Sequence, residues 1–235
     1  MLATLDVVRL LLIRHGQTPA NLIRSLDTAA PGPGLTDFGQ RQAEAVPATL
    51  AGEDIAAIYV STLARTHLTA APLAAAHGLE PVELPGIHEI EAGDLEKLSD
   101  MDSIRRYLGT VVRWGSGEPD LRMPGAFTGT DFMRRFDDSI ARVQAEHPDG
   151  TVAVFSHGAA MRLWVRMRVR DIDPDFTVYA DLDNTGMAIM EGVLHPDGRP
   201  GFELIEWRGA AAGLDDVTAE DVTGEPVAEV VAEKD

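Results

Sequence analysis

Cysteine is absent from this chain of 235 residues, and so are long apolar runs. Without cysteine there is no disulfide, no thiolate nucleophile and no Cys-based zinc or iron–sulfur site. No apolar stretch approaches the roughly 20 residues that a membrane-spanning helix needs. The apolar N-terminal stretch lacks the basic start and small-residue cleavage site of a signal peptide. We therefore expect a cytoplasmic protein that does not associate with membranes.

Basic side chains are also scarce, because 20 Lys and Arg stand against 38 Asp and Glu, giving a net charge of −18. Nucleic acids are bound by clustered positive charge, so this balance argues against a nucleic-acid partner. The acidity is most pronounced in residues 214–235, where Lys234 is the sole basic residue. Acidic segments with few aromatics are typically solvated and disordered. The sequence predicts one folded domain over residues 1–213 and a disordered acidic tail over 214–235.

Apolar, β-branched runs alternate with helical patterns along most of the chain. The predicted strands are Val7–Ile13, Ile55–Val60, Pro81–Leu84, Thr151–Phe155, Val178–Leu182 and Met187–Met190. The predicted helices run from Thr36 to about Leu50, from Ser61 or Thr62 to His77, over Ser99–Leu108, over Phe127–Glu146 and over Gly158–Val169. Such alternation is typical of parallel sheets. We predict an α/β three-layer sandwich, in which helices cover both faces of a mostly parallel central sheet.

Chemically capable residues follow three of these strands. The first ends in Arg14-His15-Gly16, the second leads through Ser61 to Arg65, and the one near residue 155 ends in Ser156-His157-Gly158. Ligands of parallel sheets bind at the carboxyl ends of the strands. An arginine fork binds phosphate oxygens, glycine admits backbone N–H groups, and neutral imidazole is a good nucleophile. Together these residues favour a phosphoryl group as the ligand.

The residues around these strand ends resemble the histidine phosphatase (phosphoglycerate mutase-like) superfamily. RHGQTPAN at 14–21 is similar to its RHGxTxxN signature, and LTDFGQRQA at 35–43 to its LTxxGxxQA segment. STLARTHLTA at 61–70 and VFSHG at 154–158 resemble its later motifs. The resemblance implies a catalytic domain in which His15 is the phosphorylated nucleophile. It further implies that Arg14, Arg65 and His157 bind the phosphate, with Asn21 at its edge. The sequence contains no Gly-rich Walker loop and no metal-ligand cluster, so we expect a mechanism without a metal or cofactor.

The proton donor of the family lies in an LxEIxxGxWEG-like segment, which here is Ile87-His88-Glu89-Ile90-Glu91-Ala92-Gly93-Asp94-Leu95-Glu96. This alignment favours Glu89 as the general acid. Glu91 is the alternative, because it lies two residues further on the same face of an extended strand. The segment also departs from the family, since Asp94-Leu95-Glu96-Lys97 replaces the usual aromatic residue and Glu-Gly.

Three functions are compatible with these residues. A phosphatase is favoured over a cofactor-dependent phosphoglycerate mutase, because only 68 residues separate Glu89 from His157 and an ERHYG-type string is missing. The third alternative is a catalytically silent phosphate-binding module. The expected partner is a small phosphorylated substrate, and family members suggest a homodimer. The irregular stretch 97–130 would overhang the site, and its arginines at 105, 106, 113 and 122 either bind a second anionic group or are solvated.

Overall fold

The computed structural model describes residues 7–208, so the predicted acidic tail at 214–235 lies outside the described residues. Six strands form one sheet in this part of the chain. In chain order they are β1 (Val8–Arg14), β2 (Ile55–Val60), β3 (Val82–Glu83), β4 (Thr151–Ser156), β5 (Met187–Gly192) and β6 (Phe202–Arg208). Their order across the sheet is β3-β2-β4-β1-β5-β6.

The sheet is mostly parallel, as predicted. β1 pairs in parallel with β4, β4 with β2, and β2 with β3, whereas β5 and β6 add an antiparallel edge. The registers align the strand ends, because Arg14 lies opposite Ser156 and Val60 lies opposite Phe155. The three polar sequences that follow β1, β2 and β4 therefore leave the sheet at one edge, as the sequence predicts.

Helices cover both faces of the sheet. They are α1 (Pro19–Leu22), α2 (Asp37–Thr49), α3 (Ala64–His77), α4 (Met101–Gly115), α5 (Gly129–Glu146), α6 (Gly158–Arg168) and α7 (Phe176–Tyr179). Alternate side chains of β1 enter two separate cores, because successive strand residues point to opposite faces. Leu10 and Leu12 pack with α4, α5 and α6, whereas Leu11 and Ile13 pack with α2 and α3. The three-layer sandwich is confirmed.

Near the end of the domain, one predicted strand is wrong and one strand was not predicted. Val178–Leu182 is not a strand, because α7 occupies its start and Phe176 packs its ring against Trp207 at 4.7 Å. Strand β6 was not predicted, and it fills the sheet edge beside β5. A short apolar run does not reveal by itself whether it lies in a strand or a buried helical turn.

Candidate active site

His15 follows β1 directly and is almost fully buried, with 4% of its surface exposed. Its Nδ1 lies 2.8 Å from the carbonyl oxygen of Gly16, so Nδ1 carries the proton and Nε2 is the unprotonated nitrogen. Burial, together with the positive charges of Arg65 and Arg14, holds the pKa of His15 well below its usual value of 6.5. His15 is therefore a neutral imidazole at neutral pH, which is the nucleophilic form.

The backbone around His15 is fixed by elements that are distant in sequence. The His15 N–H donates to Ser156 O at 3.1 Å, and the Gly16 N–H donates to Thr69 Oγ1 at 2.9 Å. Asn184 Nδ2 donates to the carbonyl oxygen of His15 at 3.0 Å. The start of α2 packs so closely here that a Cβ on Gly39 would lie 2.1 Å from the carbonyl oxygen of Gln17. Glycine is thus required at position 39.

His157 is completely buried at the start of α6. Its Nδ1 accepts a hydrogen bond from Arg65 Nε at 3.3 Å, so the ring proton is on Nε2, which contacts Ser61 Oγ at 2.7 Å. Burial, followed by the charge of Arg65 and the neighbouring His15, holds the pKa of His157 well below its usual range. The ring centroids of His15 and His157 are 5.2 Å apart. The two imidazoles are therefore neighbours, as the strand ends predict.

A small cavity of about 30 Å³ lies beside His15. Five of the six predicted site residues line it, namely Arg14, His15, Asn21, Arg65 and Glu89; the other lining residues are Thr18, Ala20, Ser25, Leu26, Asp27, Thr28 and Tyr107. His157 does not line the cavity, but it accepts a hydrogen bond from Arg65, which does. Arg14 and Arg65 are 2% and 3% exposed, so both guanidinium groups act in a desolvated site where their attraction for an anion is strong.

The two candidate proton donors have different surroundings. Glu89 lines the cavity and accepts hydrogen bonds from backbone N–H groups of Ala159 (3.2 Å) and Ala160 (2.9 Å), at the N-terminus of α6. Glu91 does not line the cavity; it contacts His88 at 2.6 Å and Arg135 at 3.3 Å. Burial raises the pKa of Glu91, but the His88 hydrogen bond and the Arg135 charge outweigh it and bring the pKa to about 2. A carboxyl group with this pKa holds no proton to donate at neutral pH.

Arg135 of α5 fixes the segment that carries both carboxylates. Its Nη1 donates to Gly86 O at 2.6 Å and to His88 O at 2.8 Å, and its Nη2 donates to Glu89 O at 2.7 Å. Tyr107 of α4 adds a hydrogen bond from its hydroxyl to Ile90 O at 2.9 Å. Neither Arg135 nor Tyr107 can be predicted from the sequence, since nothing in their local patterns distinguishes them from other residues of amphipathic helices.

The unusual residues 94–97 do not line the cavity, but two of them hold a loop that does. Glu96 Oε1 accepts hydrogen bonds from the backbone N–H groups of Thr28 at 3.0 Å and Ala29 at 3.1 Å, while the Lys97 N–H donates to Leu26 O at 2.8 Å. Glu96 thus holds the loop that lines the cavity from Ser25 to Thr28. Lys97 has a φ of 62°, in the left-handed region that favours glycine.

Replacing Lys97 by glycine should stabilise the protein by about 0.5–1 kcal/mol. A side chain in the left-handed region costs about 1–2 kcal/mol, and the greater freedom of an unfolded glycine offsets part of that gain. Lys97 is exposed, so little packing is lost. Urea denaturation measures the change, and Lys97→Ala, which keeps the backbone cost, is the control. A urea midpoint for Lys97→Gly at or below that of Lys97→Ala would show that the left-handed backbone at position 97 is not strained by a side chain.

The buried neutral histidines should make the protein less stable in mild acid. Unfolded histidine takes up a proton near pH 6.5, whereas folded His15 and His157 remain neutral to well below that pH. Stability is therefore complete above pH 6.5 and falls as the pH drops, by up to about 1.4 kcal/mol per pH unit for each histidine. Denaturation at pH 7.0, 6.0 and 5.5 measures the slope. His157→Gln should halve the fall in stability per pH unit, whereas His67→Gln, at an exposed position, should leave it unchanged. Equal slopes in the wild-type protein and both variants would refute the claim that the buried histidines cause the fall.

No helix within residues 7–208 is both long and apolar enough to cross a bilayer. The same residues contain no group of three His, Asp or Glu side chains placed to hold a metal ion.

The fold is an α/β sandwich whose paired histidines and arginines meet at the carboxyl ends of the strands. The sequence profile of the histidine phosphatase superfamily (branch 1) matches residues 10–199, so the chain belongs to this superfamily. A phosphoserine phosphatase 1 of Hydrogenobacter thermophilus is 28% identical over 156 residues, covering 66% of this chain and 74% of that protein. A solved mycobacterial glucosyl-3-phosphoglycerate phosphatase shares the fold with a TM-score of 0.70 and 22% identity, covering 87% of this chain and 100% of that one.

A longer protein is also similar to the chain. The PE-PGRS family protein PE_PGRS11 of Mycobacterium tuberculosis is 36% identical in an alignment of 216 residues that covers 86% of this chain. The chain spans only 36% of the length of that relative.

Proposed function

We propose that the protein is a phosphomonoester phosphatase that forms a covalent phosphohistidine on His15. The observation that supports this most strongly is the cavity itself, where a neutral buried imidazole, two buried arginines and the Glu89 carboxyl group meet. Arg14 and Arg65 neutralise the phosphate, and the unprotonated Nε2 of His15 attacks phosphorus in line with the leaving oxygen.

Glu89 serves as the acid of the first step and the base of the second. The N–H groups of Ala159 and Ala160 stabilise its anionic form. A phosphate dianion beside it favours the protonated form, since two negative charges repel each other in a desolvated cavity. As the bond between phosphorus and the leaving oxygen breaks, the Glu89 proton passes to that oxygen. Glu89 then takes a proton from water, whose oxygen attacks phosphorus and breaks the bond to His15 Nε2.

His157 supports the phosphoryl group from behind the cavity wall. Its Nδ1 accepts from Arg65 Nε, so the orientation of the guanidinium depends on the neutral ring. Ser61 fixes the other ring nitrogen at 2.7 Å. His157 thereby orients Arg65 toward the bound phosphate.

Phosphate release from phenyl phosphate, followed in ¹⁸O-labelled water, tests the proposal. We expect one solvent oxygen in each phosphate released, and a phosphoenzyme that survives base and decays in acid. Transfer of phosphate from one phosphoglycerate to another, without release, would indicate a mutase. A protein that binds phosphate and neither releases it from an ester nor becomes labelled would be a silent module.

A further inference from the structure

Asp27 is a second carboxylate in the wall of the cavity, besides Glu89. Its backbone carbonyl accepts a hydrogen bond from Arg65 Nη2 at 3.0 Å, and its Oδ1 lies 3.9 Å from Arg65 Nη1. Gly32 packs closely against this pair. A Cβ added at Gly32 would lie 2.8 Å from Arg65 Nη1 and 3.3 Å from Asp27 Oδ1. Asp27 is thus held at the edge of the phosphate site, with 17% of its side chain exposed.

The Asp27 carboxylate has acceptor capacity that the protein does not use. Glu89 already accepts backbone N–H groups of α6, and Glu96 accepts those of Thr28 and Ala29. Among residues 7–208, by contrast, no donor lies within hydrogen-bond distance of an Asp27 side-chain oxygen, and the Arg65 contact at 3.9 Å is an ion pair. A partly buried carboxylate normally has donors, so a donor on the ligand would satisfy this one.

The charges around the cavity oppose a second anionic group. Its wall holds two permanent cations, Arg14 and Arg65, and both are required by a single phosphate. The arginines of the stretch 97–130 do not line it. Arg113 pairs with Glu118, Arg122 donates to Ala126 O, and Arg105 lies 3.5 Å from Asp102. A carboxylate on the leaving group would therefore meet Asp27, whose ion-pair partner Arg65 is already required by the phosphate.

We propose that Asp27 determines substrate specificity by accepting a hydrogen bond from an ammonium or hydroxyl group of the leaving alcohol. The substrates are then phosphomonoesters with a cationic or neutral leaving group, and esters with a second anionic group are disfavoured. This assignment rests on the proposed phosphatase activity and adds the class of substrate to it.

Three two-carbon esters that differ only in the distal group test the assignment. They are O-phosphoethanolamine with an ammonium group, 2-hydroxyethyl phosphate with a hydroxyl group, and phosphoglycolate with a carboxylate. We expect kcat/KM of the wild-type protein to be about tenfold higher for O-phosphoethanolamine than for phosphoglycolate, the order expected for one partly buried charge pair. The isosteric variant Asp27→Asn should bring this ratio close to one, and Asp27→Ala should do the same. Asp102→Asn removes one charge from the exposed start of α4 and should keep the wild-type ratio.

Each result has one meaning, because the ratio is unaffected by a general loss of activity. A wild-type protein without preference among the three esters would overturn the assignment. An equal fall for all three esters in Asp27→Asn, with the ratio kept, would show that Asp27 only orients Arg65, and would also overturn it. Neither result affects the proposed phosphatase activity. That activity would be refuted, and the assignment with it, if the wild-type protein released no phosphate from these esters or from phenyl phosphate.

Discussion

The variant His15→Ala is expected to lose phosphate release by about 10⁴-fold or more and to form no phosphoenzyme. Removing a covalent nucleophile eliminates the reaction path itself, and losses of this size are typical of such substitutions. Arg14, Arg65 and Glu89 remain in the cavity, so the variant should still bind inorganic phosphate. Quenched-flow labelling measures the phosphoenzyme, and release of phosphate measures turnover.

His67→Ala provides the matched control for that experiment. His67 lies on α3 with its side chain 44% exposed, paired with Glu83 and outside the cavity. It should keep wild-type turnover. If His15→Ala folded with a cooperative thermal transition and kept wild-type turnover as well, the phosphohistidine mechanism would be wrong.

The variant Glu89→Gln should lose about 10²–10⁴-fold in kcat/KM with an alkyl phosphate, because the alkoxide cannot leave without a proton. The loss should be much smaller with p-nitrophenyl phosphate, whose leaving group is a stable anion. Glutamine is the same size and its amide oxygen still accepts from the start of α6, so the fold is preserved. Comparing kcat/KM for the two esters, which reports the steps up to formation of the phosphoenzyme, separates proton donation to the leaving group from the role of Glu89 in the second step and from any general damage.

Glu91→Gln is the matched control, because it makes the same change two residues away. Its carboxylate already lies in an ion pair with Arg135 and does not line the cavity, so both esters should be affected alike and modestly. Should Glu91→Gln show the dependence on leaving group and Glu89→Gln lack it, the donor would be Glu91. A similar large loss for both esters in Glu89→Gln would indicate that the residue acts on binding alone.

The sequence predicts the part of the site that depends on strand ends. Arg14, His15 and His157 each follow a buried apolar run, and parallel neighbours bring such ends together. The sequence does not predict the contact between Asn184 and His15. The hydrogen bond from Asn184 to His15 O spans 169 residues, and no local pattern signals a contact of that range.

The segment after Glu89 shows how a departure from a family pattern can mislead. The string Asp94-Leu95-Glu96-Lys97 differs from the pattern, yet Glu96 still holds a loop of the cavity. Only Lys97 changes the backbone requirement, because its φ of 62° suits glycine better. The sequence records which residues differ, whereas the backbone angles and hydrogen bonds decide which differences matter.

The hydrogen bonds around His15 also determine when the site is assembled during synthesis. His15 leaves the ribosome early, but its carbonyl is held by Asn184, and the N–H of Arg14 donates to Gly186 O. Chains stopped before Asn184 lack these partners and also lack β5, one neighbour of β1. Contacts so distant in sequence form late in folding. A nascent chain should therefore remain inert until almost the whole domain has emerged, so that phosphate release reports the completed fold.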